Sequence, residues 1–141
     1  METSDVRKRI THLLEHAKRS AGERRTRNDE ASRAYERFLD QNAIPVFRQV
    51  ASALKASSYN FTVNTPSGSV RMVSDKSAED FVEISLDTTG DRPVVVGHTS
   101  RARGRRVVES EHAIADKAVS ELGDEDVLEF LVKELEPFVE R

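Results

Sequence analysis

Cysteine and tryptophan are both absent from this chain of 141 residues. The first absence removes disulfides, thiolate metal sites and cysteine nucleophiles together, and it suits a reducing compartment, so the cytoplasm is the expected location. Long apolar runs are missing too. None approaches the roughly 18 residues of a membrane-spanning helix, and no membrane association is expected. The opening Met1-Glu2-Thr3-Ser4-Asp5 lacks the basic-then-apolar pattern of a secretory signal. There is no glycine-rich phosphate loop, no G-x-S-x-G string and no acidic cluster with metal-ligand spacing. The reading therefore leans away from an enzyme, with no cofactor and no metal expected.

What is present is a polar but foldable chain, 37% hydrophobic and 33% charged, of a size that buries roughly two-thirds of its unfolded surface as one domain. A net charge of −3 disfavours a wholesale nucleic-acid binder. Its distribution is uneven. Residues 1–27 carry eight Lys/Arg against four Asp/Glu, and residues 28–91 six against ten. Residues 92–106 hold five Arg and no acid, while residues 107–141 hold three bases and eleven acids. A basic hairpin thus sits in an otherwise acidic domain.

Thr3 or Ser4 is placed to cap a first helix, and Val6, Ile10, Leu13, Leu14, Ala17 and Ala21 recur along it at helical spacing. Between Arg19 and Arg33 the stripe thins to Ala21 and Ala31, so this stretch is expected to be an exposed helix. The stripe resumes at Ala34, Tyr35, Phe38 and Leu39, and Pro45 predicts an end or kink near Asn42 to Ile44. A second helix, Val46 to Ala56, has a broad apolar face suited to a sheet. As one helix, residues 4–42 would reach roughly 55–60 Å, further than a sheet of short strands can cover.

From Tyr59 to Ile114 the periodicity changes to two. Five strands are expected: one carrying Tyr59, Phe61 and Val63, one carrying Val70 and Met72, then Phe81–Asp87, Val94–Arg101 and Arg105–Glu111. Turn signals at Thr65-Pro66-Ser67-Gly68, at Thr88 to Pro93 and at Arg103-Gly104 imply a meander of hairpins. Unbroken Val94-Val95-Val96 suggests burial on both faces, and His98 is expected on the helix side. Asp116 to Glu121 reads as a short link. Asp124-Glu125-Asp126 then opens a last helix with Val127, Leu128, Leu131, Val132, Leu135, Phe138 and Val139 on its apolar face and a break or restart at Pro137.

Few residues promise chemistry. His12-Leu13-Leu14-Glu15-His16 matches an H-x-x-E-H zinc string, but it lacks a third ligand and a walled cleft, so solvated histidines are the expectation. His98 has no identifiable nucleophile or acid, and Glu109 and Glu111 share a strand face as residues two apart commonly do. The richer candidate is Arg101-Ala102-Arg103-Gly104-Arg105-Arg106. Its guanidinium groups at Arg101, Arg103, Arg105 and Arg106 suit phosphates or carboxylates, and a basic β-ribbon can enter a nucleic-acid groove. No aromatic is interleaved for base stacking. Pairing with acids of the last helix or of a second subunit is the leading expectation, an anionic partner the alternative.

The other candidate is a coiled-coil seam, because Ile10, Leu14, Ala17, Ala21, Arg24, Asn28, Ala31, Tyr35, Phe38 and Asn42 alternate spacings of four and three. Dimerisation is expected through Ile10, Leu14, Ala17, Ala21, Ala31, Tyr35 and Phe38.

The fold expected is α+β: an N-terminal helical arm (1–44), then a globular part (45–141) in which helices pack a five-stranded antiparallel β-meander and a C-terminal helix closes it. By layout alone this resembles small dimeric adaptor and chaperone domains of bacteria, a likeness that carries no site residues. The function expected is a non-catalytic protein-interaction or adaptor module acting as a homodimer, with nucleic-acid or other polyanion binding through residues 101–106 as the alternative.

Overall fold

The computed structural model describes residues 1–140. In chain order its elements are α1 (Thr3–Phe38), a π-helical turn (Leu39–Ala43), α2 (Ile44–Ala56), β1 (Phe61–Asn64), β2 (Ser69–Ser74), β3 (Phe81–Asp87), β4 (Val94–Arg103), β5 (Arg106–Ala113), a 3-10 turn (Val119–Glu121) and α3 (Asp124–Val139). The strands form one antiparallel sheet in the order β1-β2-β3-β4-β5, the α+β meander that the period-two segments imply.

Pro45 does not end the first helix. The Ile44 N–H reaches back five residues to the Leu39 carbonyl, a π-type bond. That extra residue leaves Pro45 in the first turn of α2, where a missing N–H costs no ladder bond. Pro137 likewise leaves α3 unbroken, because it lies only two residues before the helix ends at Val139. At the end of α2 the Tyr59 N–H bonds the Leu54 carbonyl, with Ser58 in the left-handed region at φ 69. This six-to-one closure stops the helix and delays the first strand to Phe61.

The core lies between the sheet and the pair α2 and α3. Phe47, Val70, Met72, Val82, Ile84, Val127 and Leu131 are fully or almost fully buried there. Asn42 Nδ2 donates to Asp124 Oδ1 at 2.7 Å, and the Tyr59 hydroxyl donates to the Val139 carbonyl at 3.3 Å. The two helices therefore run side by side in the same direction. At the start of α3 the Gly123 N–H donates to Asp126 Oδ2 at 2.9 Å, and Lys117 Nζ stands 2.9 Å from Oδ1. Burial opposes ionisation of Asp126, but these two donors outweigh it and hold its carboxyl below the usual range.

The buried face of α3 is narrower than its apolar content implies. Leu128 and Val132 are exposed, and Phe130 takes the central place. Its ring lies on Gly97 of β4: a Cβ there would stand 2.1 Å from Phe130 Cε1. Glycine is required at Gly97 by this close approach. Because Gly97 and Thr99 face α3, His98 must face the other way, correcting the expectation for it. The Val94-Val95-Val96 run is likewise buried only at Val95, with Val94 exposed and Val96 intermediate.

Candidate interaction surfaces

Almost nothing of α1 before Ala34 is buried. Its first half makes an apolar stripe of Val6, Ile10, Leu13 and Leu14 that is 43 to 62% exposed, followed by exposed Ala17 and Ala21. At about 100° per residue these six fall on one face, with Arg9 along one flank and Arg7 and Lys18 along the other. Ala31 is half-buried at the edge of the core. Tyr35 and Phe38, on the same seam, are 4% and 3% exposed and packed into the chain's own body. The Tyr35 hydroxyl donates to the Gly68 carbonyl at 2.8 Å. Burial first, and the nearby Glu83 second, push its pKa well above that of an ordinary phenol. The structure thus divides the proposed dimerisation residues: Ile10, Leu14, Ala17 and Ala21 stand free, while Tyr35 and Phe38 anchor the arm. His12 and His16 are exposed on the free part. Among the described residues no three His, Asp or Glu side chains are grouped to hold a metal ion.

At the opposite end of the body, β4 and β5 are joined by the two-residue loop Gly104-Arg105. Gly104 takes φ +65 at the first corner, the left-handed geometry that matches a hairpin to strand twist. Register pairs Arg101 with Val108 and Arg103 with Arg106. Arg101, Arg103 and Arg106 therefore share one face, and Arg105 sits at the tip. Arg101 is half-buried and the other three are exposed, and none forms an ion pair with a described carboxylate. Pairing with the last helix is not what holds them. Like charges directly opposite on two strands are unfavourable, and here Arg103 faces Arg106 with no ion-paired acid among the described residues. A groove of about 530 Å³ runs between this hairpin and the end of α3, lined by Arg101, Arg103, Pro137 and Glu140 among others.

Two further clusters escaped the sequence reading. On the sheet face turned away from α3, Arg71 pairs with Glu83, its Nε at 2.6 Å, and its guanidinium lies 4.0 Å over the Phe81 ring. His98 meets the same ring edge-on and stands 3.6 Å from Glu109. Strict alternation of Phe81, Glu83 and His98 between known inward residues is the signal that places them together, once the register is known. On the helix side, His112 Nε2 is 2.6 Å from Glu134 and its Nδ1 is 2.9 Å from the Ala113 carbonyl. Both ring nitrogens face acceptors, so the doubly protonated ring suits the site. The Ala113 carbonyl first, then Glu134, raise its pKa above the usual 6.5.

A second groove, about 640 Å³, lies between the base of the arm and the sheet, with Tyr35, Glu36, Asp40, Glu83 and Thr88 in its lining. Neither groove is lined by His98. No helix among the described residues is long and apolar enough to cross a membrane. No protein-family model, curated protein or solved structure matches this chain.

Proposed function

We propose that the protein is a non-catalytic interaction module that acts as a homodimer through its N-terminal arm. One observation carries this: about thirty residues of continuous helix stand clear of the body with a bulky apolar stripe uncovered. An isolated helix is marginally stable in water, and most helical stability comes from packing an apolar face. A second copy supplies the same stripe, as in a coiled coil. The cysteine-free composition suits work in a reducing cytoplasm. Static light scattering at micromolar concentration should give twice the chain mass. Replacing Ile10 and Leu14 together by Asp should give a monomer with a folded body by near-ultraviolet circular dichroism. A wild-type monomer under these conditions would sink the proposal.

A second reading is favoured by the hairpin, whose arginines form no ion pair among the described residues. Arg101, Arg103, Arg105 and Arg106 form a polyanion-binding surface, with nucleic acid as the probe ligand. Fluorescence anisotropy with labelled DNA and RNA over a salt series should show log affinity falling linearly with log salt. A variant with Ala at all four positions should lose that slope. If neither protein binds at low salt, nucleic acid is excluded as the partner of the hairpin.

A further inference from the structure

Resting on self-association of the arm, we infer that the two arms pair antiparallel, centred between Ala17 and Lys18, and so set the two bodies at opposite ends of a rod. The outer part of α1 runs from Thr3 to about Ser32: Ala34 is the first residue buried in the body, and Ala31 touches only the edge of its core. Full antiparallel overlap places Thr3 of one arm opposite Ser32 of the other.

Side-chain size along the stripe favours this direction. Apolar bulk lies on one side of the midpoint, at Val6, Ile10, Leu13 and Leu14, while on the other side the same face continues with Ala21, Arg24 and Asn28. Antiparallel pairing sets Leu14 against Ala21, and Ile10 beside Arg24 and Arg25. At the centre of the contact large then meets small at an interaxial distance of about 8–10 Å, and further out the methylene stems of the arginines lie along Ile10. Parallel pairing sets Leu14 on Leu14 and Ala21 on Ala21, which need different distances.

Charge gives the same direction. Residues 18–27 hold five Lys/Arg and one Glu. A parallel pair stacks these two segments on each other, with Arg24 facing Arg24 at the seam. The antiparallel pair sets each against residues 8–17, which hold Lys8, Arg9 and Glu15. Glu15 then lies next to Arg19 of the other copy, and Arg7 next to its Asp29.

The consequence is a spacing. The paired arms span roughly 45 Å, and each copy adds roughly 36 Å of helix from Arg33 to Ala56 at 1.5 Å per residue. The hairpins lie at the end of the body away from the arm, beside Pro137 and Glu140. Two identical basic hairpins thus face outward roughly 115 Å apart.

Because the chain has no cysteine, a single Glu30→Cys substitution on the exposed arm takes one spin label per copy. Double electron–electron resonance on the full-length protein, with its mass measured in parallel, separates the outcomes. A dimer with labels roughly 40 Å apart is expected, against roughly 10–15 Å for parallel arms. A dimer with the short distance overturns the antiparallel inference and leaves self-association standing. A dimer with labels far beyond 50 Å also overturns it, because the arms then do not pair. A monomer overturns both.

Discussion

The arm and the body are built from one chain with similar helix-forming residues, yet they are held by different physics. In α2 and α3 every turn places a side chain against the sheet, and Phe47, Val127 and Leu131 are sealed from water. In α1 before Ala34 there are more charges than apolar side chains and, apart from Ala31 at the edge of the core, little but the helix's own hydrogen bonds to hold it. Where the body draws its order from burial, the arm is proposed to draw its order from a second copy. Two regions of equal local helicity can therefore have very different dependence on concentration.

The contrast is broken most directly by deleting bulk on each side of it. Phe47→Ala should destabilise the body by about 3–5 kcal/mol in urea denaturation, as a large cavity replaces a fully buried ring. Leu14→Ala, at a position 62% exposed, should change the same measurement by less than about 0.5 kcal/mol. It should instead raise the concentration at which the dimer dissociates, read by sedimentation equilibrium. Equal urea effects from the two substitutions would erase the distinction between arm and body.

Gly97→Ala comes next. The new methyl meets the Phe130 ring, which is locked in the core, and overpacking of this kind costs about 1–3 kcal/mol. A double variant with Phe130→Leu should recover part of that loss if the ring is the obstacle. Tyr35→Phe sharpens the joint between the two regions. It removes the hydroxyl that donates to the Gly68 carbonyl, at about 1 kcal/mol. Hydrogen exchange should rise at the base of α1 while the rest of the body holds.

The smallest effect concerns His112. Its pKa is higher folded than unfolded, so its stabilising contribution is fully present below about pH 6.5 and is lost as pH rises through the folded value. The ring is half-exposed and solvent screens the pair with Glu134, so less than about 1 kcal/mol is at stake. His112→Gln should lower the melting temperature slightly at acidic pH and leave it unchanged well above neutrality.

Much of this was legible in the residues. Alternation of Val82, Ile84 and Leu86 announced β3 with its correct inward face, and Gly104 announced the hairpin corner. Phe130 was not legible as a core residue, since its role depends on a gap at Gly97 in a strand thirty-three positions earlier. The orientation of His98 failed for a related reason: Val94-Val95-Val96 hides which parity faces the helices, and only pairing with Ile84 and Val82 resolves it. At the candidate surfaces, the arginine cluster was visible as composition, but its lack of ion-paired acids among the described residues was not.

By itself the sequence determined what depends on neighbours along the chain: the helical and period-two segments, the turns, the cysteine-free chemistry and the segregation of charge. Tertiary structure decided what depends on residues distant in sequence. It buried Tyr35 and Phe38 while leaving Ile10 and Leu14 in water, because the body ends where α1 passes Ala34. A seam that looks continuous on a helical wheel is thereby divided into an anchor and a free arm.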